Sequence, residues 1–127
     1  MKLRIKGQSI RLRVSRSELE RFMQGERLQE TIYFAPEEGA QFTYALEQTS
    51  DSLAVLVRPR GSEVTVIVPE SDALAWGTSD RVGIYGSIDL GLRGSLEFIV
   101  EKDFACLDLS DAENKDTFPN PSAGATC

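Results

Sequence analysis

The chain has 127 residues, of which 41% are hydrophobic and 27% charged, a composition typical of one folded domain. It contains no histidine, which excludes Ser-His and Cys-His nucleophiles and most catalytic zinc sites. The formal net charge of −6 disfavours a general nucleic-acid-binding protein, which would be basic.

The first predicted element is a β-hairpin. Lys2–Lys6 and Ser9–Val14 alternate charged and aliphatic residues, the pattern of strands with one buried face. Gly7 and Gln8 between them fit a two-residue turn, in which glycine supplies a positive φ. With the aliphatic residues facing the core, five cations share the opposite face: Lys2, Arg4, Lys6, Arg11 and Arg13.

A short helix is predicted next. Ser15 and Glu18 have the spacing of a capping box, apolar residues follow at helical intervals, and Gly25 is suited to end the helix. Six strands and a second helix are then expected from β-prone runs separated by turn residues. The strands cover residues 28–35, 41–47, 53–58, 63–68, 81–88 and 95–100, and the helix covers 70–76.

These elements predict an α+β fold with a mostly antiparallel β-meander of about eight strands, open or closed into a small barrel, and two short helices. Gly83 and Gly86 indicate a bulge or bend in the seventh strand. We expect one domain over residues 1–109, followed by an acidic Pro/Gly/Ser-rich loop and tail over residues 110–127, which Phe118 would anchor. No internal repeat is evident.

The charge is distributed unevenly. Residues 1–27 carry eight cations against three acids, and residues 101–116 carry six acids against two lysines. The five hairpin cations are candidates for binding phosphate or carboxylate groups. The alternatives are a solvated outer face and salt bridges to the acidic late segment.

Two further candidate sites have weaker support. Among the late carboxylates, Glu101, Asp103 and Asp108 are candidate ligands for a divalent cation, although their spacing does not fit an EF-hand loop. Cys106 is a candidate reactive thiol if a cation such as Lys102 lies near it, and a buried structural thiol otherwise. Cys127 is expected to be incidental, and no motif indicates a cofactor.

The sequence favours the cytoplasm and no membrane. No apolar run approaches the roughly 18 residues of a membrane helix, and the first residues alternate rather than form a secretion signal. Two cysteines are too few for a disulfide framework, so reduced thiols are expected.

The opening, Arg4 to Arg13, and the stretches Glu101 to Leu107 and Phe118 to Pro121 resemble a family of small uncharacterised bacterial proteins known only as a domain of unknown function. The resemblance covers nearly the full length. It implies no activity, cofactor, partner or catalytic residue.

Three functions are therefore compatible with the sequence. The first is a non-catalytic binding or protein-interaction module, with a homo-oligomer or another protein as partner. The second is a binder of a small anion through the basic hairpin. The third, with least support, is a metal-assisted phosphoryl-transfer enzyme that adds the late carboxylates.

Overall fold

The computed structural model describes residues 1–104 and 116–119. It contains eight strands, two helices and one short 3-10 helix, Gly91–Arg93. The strands are β1 (Lys2–Lys6), β2 (Ser9–Val14), β3 (Leu28–Tyr33), β4 (Gln41–Thr49), β5 (Leu56–Arg60), β6 (Glu63–Pro69), β7 (Gly83–Asp89) and β8 (Ser95–Lys102). The helices are α1 (Arg16–Met23) and α2 (Glu70–Gly77).

The strands form two four-stranded sheets. Sheet A has the order β1-β2-β8-β7, and sheet B has the order β3-β4-β6-β5. In each sheet the two central strands are parallel and the outer pairs are antiparallel. The α+β class, the eight strands and the two helices are confirmed, and four of the six strand pairings are antiparallel. The single β-meander and the closed barrel are wrong for the described strands, because β2 pairs in parallel with β8 rather than with β3, and β4 pairs in parallel with β6 rather than with β5.

By its contacts the chain divides into two compact units. One contains Met1 and residues 21–81, and therefore sheet B and α2; the other contains residues 2–20 and the described residues from Val82 onward, and therefore sheet A. The division falls within α1. The predicted domain over residues 1–109 stays a prediction, and most of the predicted tail over 110–127 lies outside the described residues.

Each sheet buries an apolar face built by strand alternation. In sheet A, Leu12, Val14 and Val100 on the central strands are at most 1% exposed. In the other unit, Trp76 of α2 is fully buried and its ring lies edge-on to Phe22, with 6.1 Å between ring centroids. The hydrophobic pattern that predicted the strands therefore defines the core of each unit.

The two sheets are built in the same way. The β1–β2 hairpin precedes α1, and the β5–β6 hairpin precedes α2. The second strand of each hairpin lies parallel to the last strand of another hairpin: β2 pairs with β8, and β6 pairs with β4. A shift of 54 residues carries Gly7 onto Gly61, the glycine with positive φ in each of these turns. The same shift carries α1 onto α2. In sheet A, Ser9 pairs with Glu97; adding 54 to the first number and subtracting 54 from the second gives Glu63 and Thr43, which pair in sheet B.

The chain is therefore an internal duplication of a ββαββ segment, and each half gives one hairpin to each sheet. This corrects the expectation of no internal repeat. The sequence concealed the repeat because most equivalent positions differ: Phe22 is equivalent to Trp76, and Arg11 to Thr65.

Two glycine-containing regions differ from expectation. The register of β7 with β8 is continuous through Gly83 and Gly86, so neither glycine marks a bulge. A Cβ on Gly86 would lie 2.6 Å from Cζ of Phe98, so glycine is required there by close approach of the ring. The turn predicted at Pro59 and Arg60 is confined to Gly61 and Ser62, because β5 continues through Pro59 at the edge of sheet B.

Candidate functional site

The β1–β2 hairpin places its cations on one face of sheet A, as the alternation predicted. In its register Lys2 is opposite Arg13, and Arg4 is opposite Arg11. Gly7 in the turn has a φ of 56°, and the absence of a positive φ at Gln8 is the pattern of a type II′ turn. The cationic face is defined here as the set Lys2, Arg4, Lys6, Arg11 and Arg13.

Two acidic residues of β8 and its end neutralise part of the cationic face. Glu101, which is 6% exposed, lies opposite Arg13 in the parallel register, and its Oε1 accepts a hydrogen bond of 2.8 Å from Arg13 Nε. Arg11 Nε lies 2.8 Å from the same oxygen. Lys2 Nζ lies 2.8 Å from Oδ2 of Asp103. The salt bridges that the charge asymmetry suggested as an alternative are therefore present.

The arrangement leaves donors unused. Arg11 Nε is close to Glu101 but its N–H is poorly directed, so this buried atom has no hydrogen-bond acceptor within the described residues. Arg4 and Lys6 are exposed, and neither side chain has an ion pair with residues 1–104 or 116–119. Two arginines directly opposite one another repel, and Arg4 and Arg11 are such a pair.

A cavity of about 170 Å³ opens among these side chains and is lined by Lys2, Leu3, Arg4, Arg11 and Arg13. Four of the five lining residues are cations, and no carboxylate is among them. We call this space the cationic cavity. Lys6 lies instead on a neighbouring, more open cavity of about 430 Å³, together with Ser9 and Glu97.

Sheet B provides an internal comparison for this arrangement. The 54-residue shift makes Glu47 the counterpart of Glu101, and Arg58 the counterpart of Arg4. Arg58 donates a 2.8 Å hydrogen bond to Glu47, and Arg27 bridges Glu47 and Glu63. This network in sheet B joins two cations to two carboxylates, while Arg60, the counterpart of Lys6, has no ion pair with the described residues.

Sheet A differs from sheet B at two equivalent positions on the second strand of the hairpin. Where sheet B has Thr65 and Ile67, sheet A has Arg11 and Arg13. Both arginines form ion pairs with the carboxylate of Glu101. Arg4 therefore has no carboxylate where its counterpart has one. Within the described residues, the contrast between the unpaired Arg4 and the paired Arg58 is therefore the clearest difference between the two sheets.

The predicted metal site is only partly within the described residues and stays a prediction. Glu101 and Asp103 each contact a cation of the hairpin, and Asp108 lies outside the described residues. Within the part of the chain that the structure describes, no group of three His, Cys, Asp or Glu residues has metal-binding geometry. Cys106 and Cys127 also lie outside the described residues, so the proposed reactive thiol stays a prediction.

Residues 116–119 return to sheet A, and Phe118 is the anchor that was predicted. Its ring lies 5.9 Å from that of Phe104, and Arg16 and Lys102 lie over it at 5.5 and 5.6 Å. Asp116, which the sequence analysis missed as a structural residue, accepts hydrogen bonds at the start of α1. No local signal could have revealed it, since its partner Ser17 is 99 residues earlier in the sequence.

The fold and the cationic cavity together define a small α+β protein with a repeated ββαββ arrangement and a cation-lined cavity on sheet A. The chain belongs to a family of unknown function (DUF7009), whose model matches residues 1–122. No curated protein and no solved structure matches the chain. In the described part of the chain, neither helix has the length and apolar character needed to cross a lipid bilayer.

Proposed function

We propose that this protein is a non-catalytic binding module that holds a phosphate- or carboxylate-bearing ligand in the cationic cavity. The observation that carries the proposal is the contrast between Arg4, which has no acidic partner among the described residues, and its counterpart Arg58, which has Glu47. An anion placed between Arg4 and Arg11 would relieve the repulsion between two opposed guanidinium groups.

The chemistry of the donors favours an oxyanion. A guanidinium presents a planar fork of N–H groups that matches two oxygens of a carboxylate or phosphate. The cavity of about 170 Å³ holds a small group rather than a large cofactor.

The other two functions have less support. The phosphoryl-transfer enzyme requires carboxylates for a metal, whereas Glu101 and Asp103 are occupied by cations. A purely solvated face does not account for the arginines that distinguish sheet A from sheet B. The cytoplasmic location expected from the sequence is part of this proposal.

The test is a thermal-shift titration with phosphate, pyrophosphate, tripolyphosphate and succinate. A ligand at 100 times its dissociation constant adds about 2.7 kcal/mol to the free energy of unfolding, so the melting temperature should rise by several degrees and saturate. Arg4→Ser should abolish the rise without lowering the melting temperature of the free protein, because Arg4 is exposed and unpaired within the described residues.

The matched control is Arg93→Ser, which removes another exposed cation of the same unit, on the 3-10 helix. It should respond to the anions as the native chain does. Arg11→Thr, which introduces the residue found at the equivalent position of sheet B, should weaken the response. An equal response from the native chain and Arg4→Ser would refute the proposal.

A further inference from the structure

β1 is an edge strand with an open side. In sheet A it pairs with β2 alone, and in residues 1–104 and 116–119 no strand lies on its other side. Four of its five residues are exposed, and Ile5 is 63% exposed. Such an edge offers unpaired backbone N–H and C=O groups to another extended chain.

The duplicated hairpin shows which backbone groups point outward. Pro59 in β5 is equivalent to Ile5 in β1, and Pro59 pairs with Val64 as Ile5 pairs with Ile10. Proline has no N–H, and within a sheet it is tolerated where the N–H would face away from the neighbouring strand. The N–H of Ile5 therefore faces the open side of β1.

The same comparison shows that the two edges are not equivalent. Pro59 removes a donor from the edge of sheet B, a common protection against unwanted pairing. Ile5 leaves the donor in place on sheet A. Among the described strands, β5 therefore presents one outward donor fewer than β1.

The side chains of β1 specify the chemistry of that strand. Lys2, Arg4 and Lys6 lie on one face at every second position, beside the cationic cavity, and Leu3 and Ile5 lie on the other. Pairing β1 with β1 of a second copy would place cations opposite cations, which is unfavourable. A strand with acidic residues at every second position and apolar residues between them complements both faces.

We propose that β1 binds an extended acidic segment of a partner protein by strand addition, with its alternate carboxylates entering the cationic face. The inference rests on the proposed function, since it identifies the carboxylate-bearing ligand as the acidic side chains of a peptide. The backbone edge of β1 supplies hydrogen bonds, and Arg4 with its neighbours selects for acidic residues.

The test compares two fluorescein-labelled peptides by fluorescence anisotropy. One is Glu-Val-Glu-Val-Glu-Val-Glu, and the other contains the same residues as a block of four glutamates followed by three valines. Because strand addition aligns alternate side chains and adds backbone hydrogen bonds, the native chain should bind the alternating peptide about tenfold more tightly.

Ile5→Pro copies the residue that β5 already accommodates, and it removes the outward N–H while keeping every cation. It should lose the preference for the alternating peptide and keep the melting-temperature rise with tripolyphosphate. Circular dichroism checks that the variant folds. If it retains the preference, strand addition is wrong.

A second measurement does not depend on that variant. Two versions of the alternating peptide are compared, one with N-methyl groups on all glutamates and one with N-methyl groups on all valines. Because successive amides of a strand point to opposite edges, only one of these two sets can face β1. One version should therefore lose affinity for the protein, and the other should keep it. Equal binding of both versions, or of the alternating and block peptides, overturns the inference and leaves the anion site standing. A native dimer in sedimentation that Ile5→Pro dissolves would also overturn it, in favour of a second copy.

Discussion

Asp116 completes the hydrogen bonding at the N-terminus of α1. Its backbone oxygen accepts from Arg16 N, and its carboxylate accepts from both the N–H and the hydroxyl of Ser17. The capping box of Ser15 and Glu18 serves the next donor, with Glu18 N donating to Ser15 Oγ over 3.3 Å. Every N–H of the first turn thereby has an acceptor, half of them supplied by the late segment.

Replacing Asp116 tests this role. Its φ of 62° is a conformation that Asp and Asn tolerate better than other residues. We therefore expect Asp116→Ala to lower the free energy of unfolding by about 1–2 kcal/mol, and Asp116→Asn to lower it less. Urea denaturation of the three proteins at neutral pH measures both differences.

The contribution of Asp116 should also depend on pH. The hydrogen bond from the Ser17 hydroxyl lowers the pKa of the Asp116 carboxyl below its ordinary value of about 3.9. A lowered pKa in the folded state gives stability that is present above the unfolded pKa and is lost as the pH falls through the folded pKa. The difference between native chain and Asp116→Ala should be constant from about pH 7 to 5 and should shrink below about pH 4. A difference that grows on acidification would contradict this assignment.

At the scale of the elements, local sequence was sufficient for most of the fold. Alternation located the β1–β2 hairpin, and the spacing of Ser15 and Glu18 located α1, because these signals act between near neighbours. The pairing of β2 with β8 left no local signal, since it joins two already formed hairpins. The cations of the site were predicted, but their ion pairs and the cavity depend on that non-local pairing.

Within β7, close packing against a neighbouring side chain requires glycine at position 86. The ring of Phe98, 6% exposed, occupies the space that a side chain at Gly86 would enter. We expect Gly86→Ala to destabilise the protein by about 1–3 kcal/mol through overpacking. Thermal unfolding should show the loss, whereas the exposed neighbour Ser87→Ala should change stability by less than about 0.5 kcal/mol.

At the scale of the whole molecule, the repeat distinguishes the charges that both sheets carry from the charges that only sheet A carries. In sheet B, Arg27 and Arg58 share the two carboxylates of Glu47 and Glu63. Arg11 and Arg13 have no charged counterpart in sheet B. A sequence comparison within the chain would not have shown this, because the equivalences are defined by strand register rather than by identity.

Because each half contributes one hairpin to each sheet, the two sheets differ in the length of chain that must be closed to form their central parallel pair. In sheet B, Thr43 of β4 meets Glu63 of β6, a separation of 20 residues, whereas in sheet A Ser9 meets Glu97, a separation of 88. Closing the longer loop costs about 1.3 kcal/mol more chain entropy. In pulse-labelled hydrogen exchange during refolding, we expect the amides of β4 and β6 to become protected before those of β2 and β8.

The same arrangement orders events on the ribosome. Sheet B has all its strands once Pro69 has emerged, whereas the β1–β2 hairpin is made earlier and meets its described strand partner only when β8 follows, about 90 residues after β2. For that interval β2 lacks the strand that flanks it in the folded protein, and an unpaired strand edge favours association with other chains. The cations on β1 and β2 would thus limit aggregation of the nascent chain before sheet A is complete.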